Sequence, residues 1–201
     1  LERHGVGVDA VGGGHADPAA WLRGEPGERT RVGIHLVWAT DGEPYAYRMA
    51  TRYEIPCRVA GQIRIGDERL ELRGTGQRDH SWGPRDWWAA EWMWSAGHLD
   101  DGTRFHGVEF RLPDAPRLGV GYVQPPEGGV TELERVGASE DVGADGLIER
   151  ARIELGADVA LDVEPLAFGP LVLTAPDGRT TSFPRAMCRF NRHAIAGHDD
   201  D

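Results

Sequence analysis

Residues 58–73 read RVAGQIRIGDERLELR, and this stretch decides the fold class. Apolar side chains alternate with charged or polar ones through residues 59–65 and again through residues 69–73. Such a period of two is typical of a strand that buries one face. Between the two runs stands Gly-Asp-Glu at 66–68, a turn composition. The stretch therefore predicts a β-hairpin over residues 57–75.

A second hairpin is predicted from Glu91–Leu99 and Thr103–Leu112, which flank the dipeptide Asp101-Gly102. Asp-Gly is a preferred sequence for a two-residue type I′ turn. Positions equidistant from that dipeptide then pair across the hairpin. This pairing sets Glu109 opposite Trp94 and Arg111 opposite Trp92, all on one face of the hairpin.

The rest of the chain indicates more short strands and little helix. Gly (28) and Pro (13) recur too often for long helices. Further strands are predicted at 118–124, 130–136, 147–155, 159–163, 171–175 and 180–190. We therefore expect an all-β fold, an antiparallel barrel of at least nine strands with room for one small ligand. The alternative is a β-sandwich without a cavity.

The predicted organisation has three parts. Residues 1–30 form an N-terminal extension with one short helix, since Asp17 is a good N-cap and Pro18 suits the first helical position. Within that extension, Gly12-Gly13-Gly14 is interpreted as flexible linker. Residues 31–195 form the barrel domain and residues 196–201 an acidic tail. Because the chain begins at Leu1 without Met, we expect a piece of a longer polypeptide.

Composition excludes several classes of function. The 22 basic residues are all Arg, so Schiff-base chemistry and Lys-type phosphate loops are impossible. A net charge of −11 argues against nucleic acid and anionic membranes as partners. The histidines lack His-x-His or Glu-x-x-His spacing, so we expect no metal and no cofactor. Cys57 and Cys188 are interpreted as buried thiols of a reduced, cytoplasmic protein without membrane insertion.

An aromatic segment carries the information about function. Five of the seven tryptophans lie between positions 82 and 94, next to Asp, His and Arg residues. Such a cluster is typical of an apolar pocket with a few polar groups, which is the usual small-molecule site. The alternative is that the tryptophans only pack the fold while the charged residues form surface ion pairs.

The order of motifs in this segment resembles a known superfamily. Gly-x-Gly at 74–76, Asp-His-x-Trp-Gly at 79–83, Trp-x-Trp at 92–94 and Leu-Asp-Asp-Gly at 99–102 resemble the lipocalin-like superfamily of hydroxyneurosporene synthase, the bacterial carotenoid 1,2-hydratase. The version Arg-Asp-His-Ser-Trp-Gly at 78–83 is most similar to an uncharacterised bacterial branch. The resemblance implies a calycin-type barrel, a second barrel N-terminal to it, terpenoid or polyketide ligands, and functional roles for His80 and Trp82.

The residues allow a specific catalytic hypothesis. Hydration of an alkene needs a proton donor, a π-rich wall for the cationic transition state and a base for water. Trp82, Trp92 and Trp94 are the candidate wall. Glu109 is the candidate acid, because a carboxyl held against indole rings loses solvation and its pKa rises. The alternative for Glu109 is a salt bridge with Arg111 or with Arg78.

Two further residues complete the predicted site. His80 lies two positions from Trp82, on the same face of an extended segment, and is the candidate proton relay. Asp79 faces the other way, and either joins the catalytic set or ties down the loop through Arg78, Arg85 or backbone N–H groups. Arg78 and Arg111 are also candidate ligand-binding residues.

The sequence thus predicts a protein that binds an apolar isoprenoid, steroid or polyketide-like molecule. In the leading hypothesis it hydrates, isomerises or cyclises that molecule by cofactor-free acid-base catalysis. The alternatives are a non-catalytic carrier of the same ligands and a structural β-barrel domain of a longer protein.

Overall fold

The computed structural model describes residues 2–84 and 86–194, so the predicted acidic tail and Arg85 lie outside the described residues. The fold is all-β and antiparallel, with one helical turn. Its elements in chain order are β1 (Arg3–Gly14), α1 (Ala19–Leu22), β2 (Glu28–Thr40), β3 (Tyr45–Ala46), β4 (Arg52–Ile65), β5 (Glu68–Ser81), β6 (Glu91–His98), β7 (Arg104–Arg111), β8 (Leu118–Gln124), β9 (Thr131–Leu133), β10 (Val136–Val142), β11 (Ile148–Leu155), β12 (Val159–Phe168), β13 (Leu171–Thr174), β14 (Thr180–Phe183) and β15 (Ala186–Ala194).

The strands form three main sheets and a separate hairpin. The long sheet contains β1, β2, β4 and β5 in that order, with the short β3 also paired to β4. The middle sheet has the order β6-β7-β8-β9, and the C-terminal sheet has the order β10-β11-β12-β15. Within residues 2–84 and 86–194, strands β13 and β14 pair only with each other. The predicted antiparallel lipocalin-like fold is confirmed, but the sheets do not close into a barrel.

The first predicted hairpin is confirmed, whereas the N-terminal extension is wrong for residues 3–14. Strands β4 and β5 pair along their whole length, with Ile63 opposite Leu70 as the alternation predicts. Strand β1 pairs with β2 from Arg3 to Gly14, so the triple glycine is strand and not linker. Val6 and Val8 alternate with glycine there, and the partner strand supplies the hydrogen bonds that a glycine-rich strand needs. The short helix is present, and Asp17 accepts a hydrogen bond from the Ala19 N–H at 3.0 Å.

The second predicted hairpin forms with a register shifted by one residue. Its loop contains three residues instead of two, because the Leu99 N–H donates to the Thr103 carbonyl and Gly102 adopts a φ of +82°. A turn that ends in a left-handed glycine is the usual three-residue solution. Trp94 therefore pairs with Val108, and Glu109 pairs with Met93. The shift by one residue moves Glu109 to the face opposite the tryptophans.

The middle sheet lies between the other two and buries both of its faces. One face packs Phe105 against the C-terminal sheet, in a core with Val136, Ile153, Leu155, Leu161 and Val163. The other face packs Val108 and Tyr122 against Tyr45 and Tyr47 at the end of the long sheet. Which face of β7 a residue occupies therefore decides which of two separate interiors it enters.

Candidate functional site

One face of the long sheet is apolar across four strands. In the register, Val8, Ile34, Ile63 and Leu70 form one cross-strand row, and Val6, Leu36, Gly61 and Leu72 form the next. Trp38 and Val59 pair in the row after that. We call these residues the apolar face. The opposite face carries polar rows such as His35, Gln62 and Glu71.

The apolar face changes from buried to exposed along its strands. Leu36 and Val59 are buried, whereas Val6, Val8 and Leu70 leave 40 to 45 % of their surface in contact with solvent. The exposed residues lie on the outer strands β1 and β5, and Ile34 and Ile63 between them are partly buried. An apolar patch of this kind is unusual on a protein surface. An apolar molecule placed there would remove these side chains from water at a gain of roughly 25 cal/mol per Å².

Two predicted site residues lie near the end of β5, beyond the buried part of the apolar face. His80 pairs with Tyr53 across β4 and β5, and their rings stack with centroids 5.1 Å apart. The Trp82 ring lies 5.4 Å from His80 and 6.4 Å from Tyr53. His80 and Trp82 thus lie on one side, as the sequence predicts. Both are exposed, so this aromatic group is available for contact.

Arg78 lies on the same side of β5, two residues before His80. Its Nη2 donates to the Tyr53 hydroxyl at 3.2 Å, and its guanidinium lies 5.4 Å from the centre of the Tyr53 ring. Burial raises the pKa of the Cys57 thiol, and the charge of Arg78 opposes that shift. Arg78 therefore combines a positive charge with apolar surroundings.

Asp79 faces the other way, towards Arg52 of β4. Its carboxylate accepts a hydrogen bond from Arg52 Nη2 at 2.7 Å. The sequence predicts a loop-fixing role through Arg78, Arg85 or backbone N–H groups; Arg85 lies outside the described residues, and Arg52 is a partner that the prediction did not include. The alternation of residues along β5 predicts which face Asp79 occupies, whereas its contact with Arg52 depends on how β4 pairs with β5.

The predicted tryptophan wall is divided among different surroundings. The Trp92 ring packs 6.1 Å from Trp87 and 5.2 Å from Phe183 of β14. Trp94 instead points into the seam between the middle and long sheets, where its ring lies 5.4 Å from His106. Trp82 joins neither group. The structure therefore does not bring the three predicted wall residues together.

Glu109 and Arg111 form a buried ion pair on the other face of the middle sheet. Glu109 accepts hydrogen bonds from Arg111 Nε at 2.7 Å, Arg117 Nη1 at 3.2 Å and the Ala138 N–H at 3.1 Å. Hydrogen bonds to the carboxylates of Glu140 and Glu109 raise the pKa of Arg111. The predicted pairing of Glu109 with Trp94 is wrong, because the longer turn shifts the register. Of the two interpretations of Glu109, proton donor or salt-bridge partner, the structure supports the salt bridge with Arg111.

Sequence reasoning missed a buried polar cluster between β4 and the middle sheet. Glu54 is fully buried, and its carboxylate accepts hydrogen bonds from Arg52 at 2.6 Å, Gln77 at 3.1 Å and the Trp94 indole N–H at 3.1 Å. His106, also fully buried, lies with its Nε2 3.8 Å from Glu54. Buried polar groups of this kind must satisfy each other. The available signal is Glu54 within the otherwise apolar run 53–57.

Hydrogen bonds fix the tautomer of His106. Its Nδ1 contacts the Ser95 carbonyl at 2.8 Å, and a carbonyl only accepts, so Nδ1 carries the proton. Nε2 then accepts from the Tyr47 hydroxyl. Burial lowers the pKa of His106 to about 3, and raises the pKa of Tyr47 above its ordinary range. His106 is therefore a neutral bridge between the sheets.

We expect this cluster to make stability depend on pH. Because the folded pKa of His106 lies below its ordinary value of about 6.5, the unfolded chain takes up a proton first on acidification. The stabilisation is complete above about pH 6.5 and is lost as the pH falls towards 3, by at most about 1.4 kcal/mol per pH unit. Urea unfolding at pH 7.5 and pH 5 should differ by roughly 2 kcal/mol. His106→Gln should show a smaller difference, and an equal one would contradict the assignment.

Other features lie away from the predicted site. A polar cleft of about 500 Å³ on the C-terminal sheet is lined by residues that include Arg150, Arg152, Asp162 and Asn191. Within the described residues, no three His, Cys, Asp or Glu side chains are grouped so that they could hold a metal ion. The helices of the described part of the chain include none that is long and apolar enough to cross a membrane.

Comparisons with known proteins agree with the fold. No curated protein matches the sequence. The crystal structure of a Nitrosomonas europaea protein provisionally assigned as AttH superposes with a TM-score of 0.62 at 16 % identity, over 83 % of this chain. The match covers 60 % of that protein's length. The family model described as "Domain of unknown function (DUF7064)" matches residues 1–198, nearly the whole sequence, and the chain therefore belongs to this family.

Proposed function

We propose that this chain binds an apolar small molecule on the apolar face of the long sheet, with one end of the molecule against Tyr53, His80 and Trp82. The single observation that carries the proposal is the aliphatic row that crosses four strands and is exposed on its two outer strands, where the opposite face carries polar rows such as His35, Gln62 and Glu71. The lipocalin-like fold supports it, since such folds hold ligands against the inner face of a sheet. The resemblance of residues 74–102 to hydroxyneurosporene synthase favours an isoprenoid, steroid or polyketide-like ligand.

Binding of retinol, a fluorescent isoprenoid, tests this proposal. We expect saturable quenching of tryptophan fluorescence, because Trp38 and Trp82 border the proposed site. Trp82→Ala removes an exposed ring from the aromatic end of the proposed site and should weaken binding by about tenfold, which corresponds to about 1.4 kcal/mol. Trp82 is 54 % exposed, so the variant should fold.

A matched control is available at another exposed tryptophan. Trp87 is 38 % exposed but packs against Trp92 and Phe183, away from the proposed site. Trp87→Ala should bind retinol like the wild type. Equal binding by the Trp82→Ala protein would contradict the proposal. A wild-type dimer that Val8→Asp converts to a monomer, measured by sedimentation, would instead identify the apolar face as an interface between copies.

A second candidate function is acid-base conversion of the same ligand. His80 favours it, since its exposed imidazole contacts Trp82 at the end of the apolar face. Asp79 is paired with Arg52 on the other side of β5, and Glu109 lies behind the middle sheet. With the three predicted catalytic residues apart, the geometry supports binding better than catalysis. A product formed by the wild type and absent with His80→Ala would establish the enzyme.

A further inference from the structure

The strongest unexplained feature of the apolar face is the positive charge at its buried end. Arg78 pairs with Ile55 across the strands and lies between the positions of Gly76 and His80 on its own strand. Its side chain is only 17 % exposed. An arginine in such surroundings is normally held by a close carboxylate, because a poorly solvated charge is costly without one.

Arg78 lacks a close carboxylate within the described part of the chain. Its ion-pair partner there is Glu2, at 3.7 Å from Nη2, and the Glu2 side chain is 62 % exposed. The Nε–H of Arg78 is buried without a hydrogen-bond partner among those same residues. The loose contact with Glu2 nevertheless shows that a carboxylate can approach the guanidinium from this side.

We infer that Arg78 binds the anionic head group of the ligand, so that the ligand class is an apolar molecule ending in a carboxylate. This inference rests on the proposed function and deepens it. Arginine suits this task because its planar guanidinium can donate parallel hydrogen bonds to a carboxylate. Tyr53 holds the guanidinium through its hydroxyl and its ring. The nearer part of the apolar face, where Trp38 pairs with Val59, then contacts the rest of the molecule.

A comparison of the affinities for retinoate and retinol isolates the contribution of the head group. The two molecules share the isoprenoid chain, but retinoate ends in a carboxylate and retinol in a hydroxyl. We expect the wild type to bind retinoate about tenfold more tightly than retinol at low salt, in keeping with a charge-assisted hydrogen bond. Arg78→Gln should lose this preference, because its affinity for retinoate should fall by about tenfold more than its affinity for retinol. Arg78→Lys should keep part of the preference, because lysine retains the positive charge but lacks the planar guanidinium that can donate two parallel hydrogen bonds.

Two further variants sharpen the test. Arg73→Gln alters the same strand on the polar face, opposite Ala60, and should leave the preference unchanged. Glu2→Gln removes the competing carboxylate and should strengthen retinoate binding a few-fold, without effect on retinol. Circular dichroism of each variant should match the wild type.

The outcomes distinguish this inference from the proposed function. Equal affinity of the wild type for retinoate and retinol would overturn the inference and leave the proposed function standing. A preference that survives in Arg78→Gln would also overturn it, as would equal loss of both ligands in that variant. Failure of the wild type to bind either ligand would overturn the proposed function itself.

Discussion

We expect Glu54→Gln to lower the free energy of unfolding by about 3 to 5 kcal/mol, the usual loss when one partner of a buried ion pair is removed. The carboxylate of Glu54 accepts hydrogen bonds from Arg52, Gln77 and Trp94, and its side chain has no contact with solvent. A glutamine keeps the shape but presents an amide N–H₂ to groups that are themselves donors. The Arg52 guanidinium, 12 % exposed, loses its more buried counter-charge.

Urea unfolding followed by fluorescence measures this loss. The matched control is Glu71→Gln, since Glu71 accepts a hydrogen bond from Gln62 on the exposed face of the same sheet. That variant should cost less than about 1 kcal/mol. A similarly small loss for Glu54→Gln would mean that the buried cluster contributes little to holding the long and middle sheets together.

The interaction energy between Arg52 and Glu54 can be measured separately from their other contacts. In a double-mutant cycle of Arg52→Met and Glu54→Gln, the two losses should not add, because either change already breaks the pair. We expect a coupling energy of roughly 0.5 to 3 kcal/mol. Additive losses would place the contribution of Glu54 in its contacts with Gln77 and Trp94.

The second large effect concerns Glu109, for which the sequence and the structure lead to different expectations. Glu109→Gln should destabilise the protein by about 3 to 5 kcal/mol, because Glu109 is a buried link between β7 and β10. For a chain of this size the midpoint of thermal unfolding should fall by about 10 °C. Retinol binding by the folded protein should be unchanged, since the apolar face belongs to another sheet.

An exposed glutamate of the C-terminal sheet provides the matched control for Glu109→Gln. Glu164→Gln removes an exposed ion pair with Arg189 in the C-terminal sheet and should shift the midpoint by no more than a few degrees. If Glu109→Gln kept the wild-type midpoint and abolished turnover of a ligand, Glu109 would be the proton donor of the original hypothesis. Scanning calorimetry and a product assay together decide between the two roles.

Much of the local structure follows from the sequence alone. Alternation through residues 58–73 predicts the β4–β5 hairpin, because period-two patterning reports which face of a strand is apolar. The same alternation allocates Ile63 and Leu70 to one side and Gln62 to the other. It also sets His80 and Trp82 on one side of the chain. These features depend on neighbours in sequence, and so they can be predicted from it.

Tertiary structure alone decided the rest. The Asp101-Gly102 turn takes three residues, and this one-residue difference moves Glu109 to the far side of the middle sheet. Glu54 and His106 look like solvent-facing residues of half-buried strands until a second sheet covers them. Strand β1 needs β2 beside it to order its glycines. The sequence specifies the two faces of each strand, whereas the packing of sheet on sheet determines which faces lose contact with water, and therefore which charges must pair.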